Sequence, residues 1–185
     1  MTGLALLWLP ILLSAVFVFF ASFVIHMVLP WHKGDYSTVP NEDKLRDAIR
    51  PLAIPAGDYM VPKPSTRQDL QSPAFKDKVN AGPNLIMTVM PTGPMSMGQN
   101  LAMWFVYCLT VSFLAAFMAG PAVEPGGPSK AVFHFASLTA FTGYSAALWQ
   151  ASIWYRRSWW TTFKSTVDGL IYGVITGATF MWLWP

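Results

Sequence analysis

Two histidines and two aspartates carry the side chains best suited to chemistry. His26, His32 and Asp35 fall within ten residues of one another, and Asp168 lies far along the chain. Imidazole titrates near neutral pH and is a common metal ligand, and a carboxylate can complete such a site. These four residues are therefore a candidate polar cluster that could shuttle protons or hold a metal ion.

A structural role would explain the same residues. Asp168 begins the last apolar segment, and a carboxylate is favoured at a helix N-terminus. Three basic residues that can pair with it precede it in the chain. The third histidine, His134, is expected at the opposite depth of the membrane from His26, so the two are not expected to share a metal. The basic residues are Arg156, Arg157 and Lys164.

Four methionines form a second candidate metal site. Met87, Met90, Met95 and Met97 place four thioethers within eleven residues. Thioethers are soft ligands that select Cu(I), and spaced methionines of this kind resemble those of copper-handling membrane proteins. Methionines also pack adaptably against lipid or other helices, so both interpretations stay open.

Signs of covalent catalysis are absent from the sequence. It contains no GxSxG motif and no glycine-rich phosphate loop. The single cysteine, Cys108, lies in an apolar run and permits neither an internal disulfide nor a CxxC site. We expect no catalytic residues and no cofactor, and the sequence favours a non-enzymatic role without deciding it.

Composition indicates a membrane protein. Hydrophobic residues make up 54% of the chain and charged residues 11%, against about 25% charged in soluble domains. Eight of the 12 Lys and Arg residues lie between Lys33 and Lys78. The net charge of +3 therefore reflects the orientation of the chain in the membrane. We expect a lipid bilayer and no nucleic acid as partner.

The fold class predicted is all-α, a polytopic four-helix bundle in a single membrane domain, residues 1–185. A bilayer core requires about 20 apolar residues per helix. Pro30 and Gly120 end the first two segments, and tryptophans mark several ends, as at membrane interfaces. The first segment is too long for a signal peptide and is expected to remain as an anchor. The predicted spans are residues 3–29, 100–119, 130–155 and 167–184.

The 68-residue segment 32–99 is predicted to be an irregular loop because proline and glycine recur throughout it. Two short helices are expected, at about residues 41–50 and 72–81. The apolar run Leu85–Met90 fits a strand, a dip into the headgroups or a plug against the bundle. The sequence leaves open whether this segment is ordered alone.

Small residues recur at helical spacing in the last two predicted spans. Such stripes let membrane helices approach closely, so we expect the third and fourth spans to pack against each other. The stripes would equally suit a partner protein or a second copy of the chain. They consist of Ala136, Ala140, Gly143 and Ala147 in the third span, and Gly169, Gly173 and Gly177 in the fourth.

The basic residues predict orientation. Segments 32–99 and 156–166 together hold 11 Lys and Arg residues, and the other side of the membrane holds one. The positive-inside rule places both segments in the cytoplasm and both termini outside, in the periplasm. The expected location is the inner membrane, with multiple passes.

The segment Leu29–Tyr36, read together with Pro40–Asp43, resembles an uncharacterised family of bacterial four-span integral membrane proteins. The segments Trp149–Tyr155, Asp168–Gly169 and Trp182–Trp184 extend the resemblance over most of the chain. It implies a bacterial inner-membrane protein, and it supplies no functional residues.

The leading functional hypothesis is a non-catalytic accessory, assembly or interaction subunit that binds another membrane protein. An oligomeric transporter or channel, with the glycines as its interface, is the first alternative. Cu(I) handling through the methionines is the second, and a lipid-acting enzyme that uses His26 and Asp168 is the third. The sequence does not name a substrate, partner or pathway.

Overall fold

The structure is a computed structural model that describes residues 2–185. It is mostly helical, at 71%, and divides into two units: a helical bundle (residues 2–37 and 96–185) and an inserted unit (residues 38–95). In chain order the elements are α1 (Trp8–Phe23), α2 (Glu42–Ile49), β1 (Gly57–Val61), α3 (Arg67–Gln71), α4 (Pro73–Ala81), β2 (Leu85–Val89), α5 (Met97–Ala122), α6 (Ser129–Ser145), α7 (Trp149–Tyr155) and α8 (Trp159–Trp182).

Two helices of the bundle are long and apolar enough to cross a membrane. A 3-10 turn and a π-helical turn extend α1 into one helix of 25 residues, Leu4–Val28. The other is α5, with 26 residues. Helix α6 ends at Ser145, and α8 carries two charged residues. Four helices therefore lie near the predicted spans, while membrane crossing by the last two stays a prediction.

The start of the last helix differs from the prediction. Helix α8 begins at Trp159, whereas the predicted span begins at about residue 167. The chain between α7 and α8 is therefore short, and Lys164 lies inside the helix. Asp168 is not at a helix N-terminus, because more than two turns of α8 precede it. The prediction failed because a run of Trp, Thr and Ser with one Lys is weakly apolar yet helical.

Helices α6 and α8 pack against each other. A Cβ atom added to Gly173 would lie 2.9 Å from the backbone oxygen of Ser137, and one added to Gly169 would lie 2.6 Å from Ser145. A Cβ on Gly177 would likewise meet Ser137. The glycines of α8 thus permit close approach of the α6 backbone, as small residues do between membrane helices.

The small residues of α6 do not all face α8. Gly143 lies against α5, where an added Cβ would be 3.2 Å from the side chain of Val111. Ala136 and Ala140 are buried in the apolar core. Ala147 is exposed and does not pack within the chain, so a packing role for it against a partner stays a prediction. The helix is interrupted by a 3-10 turn at Ala146–Leu148, and this turn breaks the helical spacing on which the prediction relied.

Helix α1 packs against α5 and α8. The hydroxyl of Ser14 donates to Ser112 of α5 at 2.9 Å, and the indole of Trp104 donates to Ser22 at 2.8 Å. Such polar contacts join helices that otherwise meet through apolar side chains. The bond from Trp104 to Ser22 lies about one turn before His26 and holds the end of α1 against α5.

The inserted unit contains regular structure, so the prediction of an irregular loop and of an all-α chain is wrong there. Strands β1 and β2 pair antiparallel, with Tyr59 opposite Met87. Helices α2 and α4 lie within the two ranges predicted, and α3 is additional. The prolines and glycines mostly stand at element boundaries, as Pro73 does at the start of α4 and Gly82 at its end. They end elements rather than disrupt them.

Candidate functional site

The chain turns back on itself directly after the first helix. Leu29 is extended, with φ −79° and ψ 145°, and a 3-10 turn follows at Pro30–His32. The backbone amide of Asp35 then donates to the oxygen of His32 at 3.1 Å. This compact turn brings Trp31, His32 and Asp35 against α8.

His32 lies between two carboxylates. Its Nδ1 is 2.7 Å from Oδ2 of Asp35, and its Nε2 is 2.8 Å from Oδ2 of Asp168. A neutral imidazole has one N–H and cannot donate to both. With both aspartates ionised, the geometry therefore fits a protonated imidazolium that donates in both directions.

Lys164 supplies a second positive charge. Its ammonium donates to Oδ1 of Asp35 and to the backbone oxygen of Trp31, the latter at 3.0 Å. It precedes Asp168 by four residues, so the two side chains leave α8 on one face. Asp168 also accepts a bond of 3.1 Å from the indole of Trp31 through Oδ1.

The four ionisable groups form a polar network that we call the His32 network: His32, Asp35, Lys164 and Asp168. Their side chains are between 4% and 12% exposed. With His32 protonated, its imidazolium and the ammonium of Lys164 balance the two carboxylates. Burial of a charge is costly unless it is paired, and here each charge has an opposite partner.

The pKa of Asp35 reflects these contacts. Burial alone raises the pKa of a carboxyl group, because it disfavours the charged form. The hydrogen bonds from Lys164 and His32 act in the opposite direction, together with the charges of both groups. The net effect lowers the pKa of Asp35 below its ordinary value.

His26 stands at the edge of the network. Its ring stacks on that of His32, with centroids 4.3 Å apart and 25° between the planes. It is exposed and forms no hydrogen bond with any residue from 2 to 185. One ligand atom each from His26, His32 and Asp168 lies within 4.8 Å of the others. His26 also lines a cavity of about 240 Å³, together with Phe19, Ser22, Phe23, Met27, Leu101 and Trp104.

The structure brings together all four residues of the predicted polar cluster. The expected partners of Asp168 are wrong, however, since Asp168 binds His32 and Trp31, and Lys164 binds Asp35 instead. Sequence reasoning did not assign Trp31 or Lys164 to the cluster. The spacing of four between Lys164 and Asp168 was the signal that could have placed the lysine on the same helix face.

The other predicted site residues lie elsewhere. The Nδ1 atom of His134 is 2.8 Å from the backbone oxygen of Lys130, within α6. Met87 lies in β2 of the inserted unit, and Met97 opens α5 of the bundle. Met90 and Met95 are exposed. Copper binding by the methionines stays a prediction.

Comparison with known proteins assigns no family. The chain matches no protein-family model, no curated protein and no solved structure. Function must therefore be argued from the geometry of the chain itself.

Proposed function

We propose that this chain is a four-span protein of the bacterial inner membrane that acts by binding a partner protein, as a non-catalytic accessory or assembly subunit. The bundle would anchor it in the bilayer. The inserted unit would carry the docking surface on the cytoplasmic side.

The outer surface of the bundle supports a lipid environment. Soluble monomers rarely expose contiguous apolar patches larger than a few hundred Å², yet each long helix here presents large apolar side chains outward. Those of Phe20 in α1, Val106 in α5, Leu138 in α6 and Leu170 in α8 are 62%, 60%, 66% and 54% exposed. Lipid tails would cover such a surface on all four helices.

The distribution of charge supports the orientation. Lys33 follows the end of the first helix, and Arg156 and Arg157 precede α8. Lys130 is the one basic residue at the start of α6. With four spans, the positive-inside rule places the His32 network and the inserted unit in the cytoplasm and both termini in the periplasm.

The observation that carries the binding role is that residues 38–95 form an ordered unit between the first helix and α5. This unit has its own hairpin and helices. Its surface combines both signs of charge with exposed apolar side chains, among them Leu52 and Leu70, which are 66% and 52% exposed. Protein interfaces combine an apolar centre with a polar rim, and this surface offers both kinds of side chain.

Two alternative functions, oligomeric transport and lipid-acting catalysis, have less support. Oligomeric transport would use the glycines of α8 as an interface between chains, but Gly169, Gly173 and Gly177 are covered by α6 within one chain. A lipid-acting enzyme that uses His26 and Asp168 would need both groups available, but the carboxylate of Asp168 is already bonded to Trp31 and His32.

The mass of the gently solubilised native complex tests this function, with the protein carrying a tag after Pro185. We expect a second membrane or membrane-associated protein in fixed ratio. Replacing both Leu52 and Leu70 by Asp should release it, and the matched control, both replaced by Met, should retain it. A monomer alone would contradict the proposal, and a homo-oligomer alone would favour transport instead.

A further inference from the structure

We propose that His26, His32 and Asp168 bind one divalent transition-metal ion, with Zn²⁺ as the reference ion. Their candidate ligand atoms already lie within 4.8 Å of one another. Two imidazole nitrogens and one carboxylate oxygen form a donor set that zinc sites in proteins use, with positions left open for water or another ligand. Metal binding here goes beyond the partner-binding role and does not depend on it.

Asp35 supplies what a metal-binding histidine requires at its other nitrogen. A histidine ligand commonly donates its second ring N–H to a carboxylate, which fixes the ring and makes the ligating nitrogen more basic. The Nδ1 atom of His32 is 2.7 Å from Asp35, and this leaves Nε2 directed at the site. Lys164 holds Asp35 in turn through its ammonium group.

The two oxygens of Asp168 are divided between separate tasks. Oδ1 accepts the indole N–H of Trp31 at 3.1 Å, and Oδ2 faces Nε2 of His32 at 2.8 Å. An ion at the site would displace the proton between Nε2 and Oδ2, and that proton would leave to solvent. The two atoms would separate from 2.8 Å to about 3.3 Å to admit the ion. Asp168 would keep its bond to Trp31, so its carboxylate would stay oriented while it binds the ion.

His26 has to move for the site to close. Ligands about 2.0–2.1 Å from a tetrahedral zinc ion stand about 3.3 Å apart, and stacked rings do not aim their nitrogens at one point. The ring of His26 therefore has to turn out of its stack on His32. It is free to do so, because it is exposed, has no hydrogen bond among residues 2–185, and borders the cavity of about 240 Å³.

His26 also separates metal binding from a purely structural network. The pairing of His32 with Asp35, Asp168 and Lys164 is complete without His26. A structural network therefore does not need the ring nitrogens of His26, whereas metal binding needs one of them as a ligand.

Isothermal titration calorimetry of purified, tag-free protein with Zn²⁺ tests the site. We expect one ion per chain in the wild type. The variant Asp35→Asn, which removes the group that orients His32, should lower Zn²⁺ affinity by about 10- to 100-fold. The variant His26→Phe keeps a stacking ring but removes a ligand, and it should lower Zn²⁺ affinity by more. The matched control His134→Phe changes a histidine bonded to Lys130 and should bind as the wild type does.

Unchanged affinity in His26→Phe, or no binding by the wild type, would overturn the proposal. A second readout covers the case in which His26→Phe fails to fold. Co²⁺ bound to the wild type should show visible absorption of the strength typical of four-coordinate sites. Only the weak absorption of hydrated Co²⁺ would also overturn the proposal.

Discussion

The Nε2 atom of His32 lies 2.8 Å from Oδ2 of Asp168, two residues that are 136 positions apart in the chain. This contact joins the turn after the first helix to the middle of α8. Both groups are nearly buried, so the pair is held in a medium of low dielectric where charge interactions are strong. The end of the first helix is thereby fixed against the last one.

The buried ammonium of Lys164 should be essential to this arrangement. The variant Lys164→Met leaves two carboxylates with one cation, and removing one partner of a buried ion pair costs about 3–5 kcal/mol. We expect a loss of unfolding free energy of that order, measured by denaturant titration in detergent. The variant Arg50→Met is the control, since the pair of Arg50 with Asp47 is exposed and should contribute at most about 1 kcal/mol.

A double variant tests whether charge imbalance causes the loss of stability expected for Lys164→Met. Lys164→Met combined with Asp35→Asn leaves His32 and Asp168 as a neutral pair. We expect the double variant to be more stable than the sum of the two single losses implies. Simple additivity of the two losses would contradict the account of a balanced network.

The pKa of Asp35 gives a pH dependence of defined sign. Because this pKa is lowered in the folded state, ionised Asp35 contributes stability that is fully present above its unfolded pKa of about 3.9. That contribution is lost as the pH falls through the folded value. The difference in unfolding free energy between wild type and Asp35→Asn should therefore shrink as the pH falls below about 4.

The candidate site was predictable in part. His26, His32 and Asp168 could be grouped because the predicted four-span topology places the end of the first span and the start of the last one at the same depth. The hydrogen-bond partners within this group could not be predicted, since they depend on where α8 begins. The run from Trp159 to Asp168 is only weakly apolar, and hydropathy therefore gave a start that was too late and left Lys164 in a loop.

The glycines of α8 should resist substitution. An added Cβ at Gly173 would come within 2.9 Å of the backbone oxygen of Ser137, which cannot move without shifting α6. We expect Gly173→Ala to lower the unfolding free energy by about 1–3 kcal/mol, as overpacking does, despite the better helix propensity of alanine.

Gly98 provides the matched control for this substitution. It lies in the first turn of α5, and an added Cβ there meets no atom within 4 Å. The variant Gly98→Ala should be neutral or slightly stabilising. Equal effects of the two substitutions on thermal unfolding in detergent would argue that close packing of α6 and α8 is unimportant.

The inserted unit shows where sequence patterns fail. The capping residues Ser72 and Pro73 identify α4 directly, because capping is a local interaction. The pairing of β1 with β2 joins residues such as Asp58 and Thr88, which are far apart in the sequence. Neither strand exceeds five residues, so neither shows an alternation long enough to recognise.

The four-span arrangement is the central claim, and labelling of single cysteines from each side of the membrane tests it most directly. The native Cys108 is buried and should not react. We expect Ser65→Cys, in the inserted unit, to react with a membrane-impermeant maleimide only in inverted vesicles. We expect Ser129→Cys, at the start of α6, to react only in intact spheroplasts, and Ser158→Cys, between α7 and α8, to react only in inverted vesicles. Labelling of Ser129→Cys and Ser158→Cys from the same side would contradict the four-span account.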